Sequence, residues 1–138
     1  MSASFEQVYS ELLEEHRDLS SLTGRIRDHQ SSIGLGPLLD RLHSLLIKHF
    51  SHEQFPGGLY ERMGAYGSDY HDELRILVED HCTILSSVRG LLERTRITDE
   101  QDEPALLREV AEVLRDLNDH EHREHALADK LMTLPQES

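Results

Sequence analysis

The chain has no tryptophan and only four tyrosines and three phenylalanines, too few for the stacked aromatic platforms that bind bases. Its one cysteine, Cys82, excludes an internal disulfide framework and agrees with a reducing compartment. Basic residues are scarce as well: 14 Lys and Arg stand against 27 Asp and Glu, a net charge of −13. Nucleic-acid backbones and anionic membranes need basic patches, so neither is an expected partner. No positively charged segment with an apolar run opens the chain, and no apolar stretch approaches membrane-spanning length. A soluble, cytoplasmic protein is expected, with its oligomeric state left open. At 138 residues the chain reads as one domain, 1–138, large enough to bury a core without staples. Against these absences stands one excess, ten histidines.

Apolar residues recur at helical spacing throughout, and no segment alternates like a strand. Ser4 and Gln7 form a capping-box pattern ahead of a stripe of Phe5, Val8, Leu12, His16, Leu19 and Ile26, with Thr23 between. This first helix should stop before Gly34 and Gly36, with Pro37 as the first residue of the second. The second stripe is Leu38, Leu42, Leu45, His49 and Glu53, ended or bent by Pro56-Gly57-Gly58. Leu59 to Met63 can form a short extra turn, followed by Gly64 and Gly67. The third long helix carries Leu74, Leu77, His81, Ile84, Val88 and Leu91, and a break spans Thr98 to Pro104. The fourth carries Leu106, Val110, Val113, Leu117, His120, Glu124, Leu127 and Leu131, closed by Pro135. Four long helices with short connections predict an all-α, up-down-up-down four-helix bundle.

One histidine per predicted helix, His16, His49, His81 and His120, occupies a position where a core residue is expected. Glu53 and Glu124 follow His49 and His120 by one turn and continue the same inward stripe. His-x-x-x-Glu spacing alone is common in a glutamate-rich chain. The register gives it weight, because a buried imidazole needs a partner and a buried pair of carboxylates needs one more urgently. A lone histidine on an apolar face is more often a satisfied core residue than a ligand. Four of them with two glutamates favour a dinuclear metal site, and nitrogen and oxygen donors suit iron or manganese.

The motifs Glu15-His16, His49-Phe-Ser-His-Glu53 with Gly-Gly-Leu-Tyr60, Glu79-Asp-His81 and His120-Glu-His-Arg-Glu124 resemble the hemerythrin-like (HHE cation-binding) domain. The resemblance covers essentially the whole chain and fits the four-histidine, two-glutamate variant. That variant is similar to iron-cluster repair proteins and to bacterial hemerythrin-like proteins with peroxide activity. It implies an oxo- or hydroxo-bridged pair of iron ions, with manganese or zinc as substitutes. His16 and His49 would bind one ion, His81 and His120 the other, and Glu53 and Glu124 would bridge them. The Glu-x-x-His pattern of ferritin-like sites and the His-Glu-x-x-His pattern of zinc proteases are both absent. Oxygen-carrying hemerythrins have a fifth histidine one turn from the one on helix three. Here Leu77 and Leu85 flank His81.

Without the fifth histidine, each ion would keep about one open position, which suits peroxide, consumed O₂ or nitric oxide better than reversible O₂ carriage. The expected function is therefore peroxide breakdown, catalase- or peroxidase-like, in oxidative or nitrosative stress defence. The alternative is an O₂ or NO sensor, or an iron-handling protein for cluster repair. No catalytic residue is expected beyond the metal ligands. Of the other histidines, His29, His43 and His122 suit a solvated face. His52 lies about 60° from His49 on a helical wheel, where it could orient a ligand or pass protons. His125 could substitute as a ligand if helix four unwinds locally. Tyr60 and Tyr66 either cover one end of the site or simply pack, and Cys82 points off the ligand face.

Overall fold

In the computed structural model, residues 4–54, 58–65, 68–97 and 101–133 are described, and among them there is no strand. Four long helices pack against one another: α1 (Phe5–Asp28), α2 (Leu35–Gln54), α4 (His71–Ile97) and α5 (Glu103–Met132). A short α3 (Leu59–Gly64) and a 3-10 turn at Ser68–Tyr70 lie between α2 and α4. Around the bundle, α1 touches α2 and α5, and α4 touches the same two, while α3 packs on α1, α2 and α4. Among the described residues, no helix is long and apolar enough to cross a membrane.

The ends of the helices follow local chemistry. Ser4 caps α1 reciprocally: its hydroxyl accepts from the Gln7 amide at 3.2 Å, and Gln7 Oε1 accepts from the Ser4 amide at 3.0 Å. Gly34 stands immediately before α2 with φ +78°, a conformation that glycine adopts without a Cβ penalty. Helix α2 starts at Leu35, two residues earlier than the sequence suggests, so Pro37 sits inside its first turn rather than at its head. There the missing amide costs nothing, because first-turn amides have no intrahelical acceptor. Pro104 likewise falls inside the first turn of α5 and not in the preceding break. Gly36 lets α2 approach α4 closely, since a Cβ there would lie 3.3 Å from Thr95 Oγ1.

The stripes of the last two long helices are buried residue for residue as their periodicity predicts. The first two are displaced in part. On α1, Tyr9 and Leu22 are buried and Val8 only partly. On α2, Leu39 and Leu46 take the core positions expected for Leu38 and Leu45, and Leu35 is buried as well. Helix α2 carries adjacent leucines, Leu38-Leu39 and Leu45-Leu46, so spacing alone does not say which faces inward. The extra turn expected over Leu59 to Met63 is α3. The expected roles of Pro56, Gly57, Tyr66, Gly67, Thr98 and Pro135 lie outside the described residues.

The apolar core is split in two. One cluster runs from Leu19, Leu22 and Ile26 of α1 through Leu39, Leu42, Leu46 and Phe50 of α2 to Ile84, Val88, Val110 and Leu117. The other gathers Phe5, Tyr9 and Leu12 with Leu59, Tyr60 and Met63 of α3 and with Leu74, Leu77, Leu127 and Leu131. On α1, α4 and α5 the break between clusters falls at His16, at His81, and at His120 and Glu124, while on α2 His49 and Glu53 flank Phe50 at the end of the first cluster. A layer of six ionisable side chains therefore crosses the middle of the core.

Candidate metal centre

All six residues of this layer are buried, and Glu53 and Glu124 are 0 % exposed. They divide into two overlapping groups, His16, His49, Glu53 and Glu124, and Glu53, His81, His120 and Glu124. Within each group one ligand atom per residue lies within 4.8 Å of all the others. Each carboxylate spans the two groups. Glu53 Oε2 lies 3.4 Å from His49 Nε2, and its Oε1 lies 3.1 Å from His81 Nε2. Glu124 Oε1 lies 3.3 Å from His16 Nε2, and its Oε2 lies 3.6 Å from His120 Nε2.

The orientation of the rings is uniform. All four histidines turn Nε2 toward the carboxylates and bind an outer group through Nδ1. His49 Nδ1 meets Glu15 Oε1 at 2.9 Å, and His120 Nδ1 meets Asp80 Oδ2 at 3.0 Å. His81 Nδ1 meets the side-chain oxygen of Gln54, and His16 Nδ1 meets His125 Nε2 at 2.5 Å. An outer acceptor fixes the tautomer, with the proton on Nδ1 and a free lone pair on Nε2. Asp80 is itself held by Arg123 at 2.6 Å. Aromatic packing adds to this: the His81 ring stacks on Phe50 at 3.7 Å between centroids, with the planes 6° apart. Asp80→Ala is expected to weaken metal affinity about 10–100-fold by releasing the His120 ring. Competition against a chelator of known affinity checks this, and an unchanged dissociation constant would show that Asp80 does not orient the ligand.

The inner atoms are left wanting a partner. His16 Nε2, His120 Nε2, both oxygens of Glu53 and Oε1 of Glu124 are buried without a hydrogen-bond partner among the described residues. Each such atom costs about 1–3 kcal/mol when nothing replaces water. Burial, and then the charge of Glu124, push Glu53 well above the usual carboxylate range. Burial also pushes Glu124 up, but the Glu53 carboxyl and the His120 and His16 rings beside it outweigh that and hold it well below. Two like charges in one buried site are pushed apart in this way. Burial, together with the neighbouring His120, lowers His81 to about 3, so its ring is neutral near pH 7. Burial lowers His49 too, against the opposing pull of Glu15. Inward-facing imidazole nitrogens and carboxylate oxygens form a donor set that a cation completes. The residues present therefore fit a metal pair.

The other histidines and the tyrosine fall as follows. His52 is half exposed and shares Glu15 with His49, at 2.7 Å from the second carboxylate oxygen. His125 serves as the outer partner of His16. Helix α5 is continuous from Glu103 to Met132, so the local unwinding that would make His125 a ligand is not found. His122 is exposed, while His29 and His43 are half-buried. The expectation of a solvated face holds fully only for His122. Cys82 is exposed. Tyr60 does more than pack: its hydroxyl donates to Glu124 Oε2 at 2.7 Å and lies 2.9 Å from His81 Nε2. Burial, followed by the charges of Glu124 and Glu53, pushes that hydroxyl far above its usual range.

Glu15 and Asp80 stand in the motifs quoted from the sequence, but neither they nor Gln54 have an outer-acceptor role assigned there. They sit beside ligands in the sequence (Glu15 before His16, Gln54 after Glu53, Asp80 before His81), yet each reaches the histidine of a neighbouring helix. Glu15 serves His49, Gln54 serves His81 and Asp80 serves His120. That adjacency was the available signal. Glu121 was missed as well. It is a partly buried carboxyl whose Oε1 has no hydrogen-bond partner among the described residues, and burial raises it. Comparison of the chain with family models, with curated proteins and with solved structures gives no match.

Proposed function

We propose that the chain is a hemerythrin-like protein of the four-histidine, two-glutamate type, and that its buried layer holds two iron ions for peroxide breakdown. The observation that carries this reading is the common orientation of the four rings. Every Nε2 faces the two carboxylates, and every Nδ1 is taken by an outer group. His16 and His49 would hold one ion, His81 and His120 the other, with Glu53 and Glu124 shared. The up-down-up-down path belongs to the same proposal. Supporting it, Tyr9 meets Asp129 while His16 meets His125, and Asp80 meets His120 while Arg94 meets Glu109. Residue numbers rise on one helix as they fall on its neighbour.

When bound, an iron pair supplies Lewis acidity and a two-electron redox couple. The chain supplies the rest. The outer partners Glu15, Gln54, Asp80 and His125 hold each ring with Nε2 turned inward before metal arrives, so little reorganisation is needed on binding. The two apolar clusters above and below the layer keep bulk water from it. Two molecules of hydrogen peroxide would leave as two of water and one of O₂.

The test is dioxygen evolution by protein carrying two irons per chain. The reading predicts sustained O₂ release on peroxide addition, lost when His81 is replaced by alanine. Two irons with no turnover on peroxide would refute peroxide breakdown and favour the sensing or iron-handling alternative.

A further inference from the structure

The two halves of the bundle repeat one another around the ionisable layer. Glu15 on α1 meets His49 on α2 at 2.9 Å, and Asp80 on α4 meets His120 on α5 at 3.0 Å. Glu15 also meets His52 at 2.7 Å, as Asp80 meets Arg123 at 2.6 Å. Gln54 and His125, each directly after a glutamate of the layer, reach back to His81 and His16. The ring pairs match as well. His16 and His49 lie 4.5 Å apart at 68°, and His81 and His120 lie 4.8 Å apart at 66°. Helices α1 and α2 therefore correspond to α4 and α5.

At one position this correspondence turns an apolar wall into an acidic one. Phe50, directly after His49, stacks on His81 at 3.7 Å and stands edge-on to His120 at 5.7 Å. The residue directly after His120 is Glu121, and it is partly buried. The correspondence sets it toward His16 and His49 as Phe50 is set toward the other two rings. Its electrostatics agree: burial raises Glu121 above the usual carboxylate range, and the neighbour that opposes this most is His16. The equivalent seams between helices differ too. Among the four long helices, α2 and α4 make the most closely packed seam and α1 and α5 the sparsest.

Glu121 Oε1 is buried without a hydrogen-bond partner among the described residues. The other side-chain atoms in that condition belong to His16, Glu53, His120 and Glu124, all members of the two metal-holding groups. A metal pair would satisfy those atoms and leave Glu121, which belongs to neither group, still wanting a partner. A buried polar atom with no partner is costly, so its partner has to arrive from outside the protein. Resting on the metal reading above, we infer that Glu121 contacts the small substrate, its carboxyl hydrogen-bonding a peroxide held beside His16 and His49. Hydrogen peroxide both donates and accepts, so the carboxyl serves it whether ionised or not. Phe50 offers nothing comparable on the opposite side, and the two halves of the centre become chemically distinct.

The test is the infrared difference spectrum of the iron(III)-loaded full chain with and without azide, a small anion that stands in for peroxide, read beside iron content. Wild type is expected to show a carboxyl band that moves on azide addition and is missing from Glu121→Gln. The azide stretch is expected to be displaced in Glu121→Leu and to stay near its wild-type position in Glu121→Gln, with two irons in each. For peroxide, KM should rise about tenfold in Glu121→Leu and be largely restored in Glu121→Gln, which keeps a hydrogen-bonding side chain. Two irons per chain with one azide stretch in all three proteins would overturn the role of Glu121 and leave the metal reading standing. The moving carboxyl band persisting in Glu121→Gln would overturn it too, and needs no leucine variant. Failure of wild type to retain iron would overturn both readings.

Discussion

Glu53→Ala is expected to reduce metal content from two ions per chain to nearly none, whereas His16→Ala should leave one ion in place. The difference follows from which groups each residue serves. Glu53 turns one oxygen to His49 and the other to His81, so a single truncation removes a donor from both metal positions. His16 serves only one. Removing Glu53 also removes the negative charge that offsets two dications in a buried layer, and an uncompensated buried charge is far costlier than an exposed one. Metal analysis of the two purified variants checks the contrast. Equal stoichiometry in Glu53→Ala and wild type would mean that the carboxylate does not bridge. A full loss in His16→Ala would mean that the two ions bind only as a pair.

The second large effect is on stability. Stripping the metal should lower the melting temperature by on the order of 20 °C. Each ion contributes about 4 kcal/mol when free metal exceeds its dissociation constant 1,000-fold. For a chain of this length each kcal/mol moves the midpoint by roughly 3 °C. The metal-free state is the weak one for a physical reason visible in the core. Four imidazoles and two carboxylates separate two apolar clusters, and several of their inner atoms have no hydrogen-bond partner among the described residues. Replacing Glu53 and Glu124 together with apolar residues should have the opposite sign in the metal-free protein, raising its midpoint, because a buried unpaired polar layer is worse than a packed apolar one. Calorimetry of apo and iron-loaded wild type and of the double variant tests both signs. A midpoint indifferent to metal would remove the stabilising role assigned to the site.

Much of this was legible in the amino-acid sequence. The stripes of the last two long helices follow from spacing, because His81 and His120 each continue a row of apolar residues three or four apart. The six prospective ligands were legible for the same reason: each fills a slot that the pattern reserves for leucine. On α2 the pattern was ambiguous, and the choice between Leu38 and Leu39, or Leu45 and Leu46, depends on how α1 and α4 flank the helix. The outer acceptors were hidden by a different property of bundles. Glu15 and Asp80 look like ordinary charged helix surface in one dimension. Their function appears only when a neighbouring helix brings a histidine Nδ1 to within about a hydrogen-bond length of them. Tyr60 was ambiguous because it belongs to a short helix whose placement over the layer is a tertiary fact, not a periodic one.

The central claim is that two metal ions share the Glu53 and Glu124 carboxylates at the middle of the bundle. Anomalous difference density at the iron edge, from crystals of protein purified with iron, tests it most directly. The account predicts two peaks about 3.5–4 Å apart, one beside His16 and His49, the other beside His81 and His120. A single peak, or density anywhere but between those carboxylates, would contradict it.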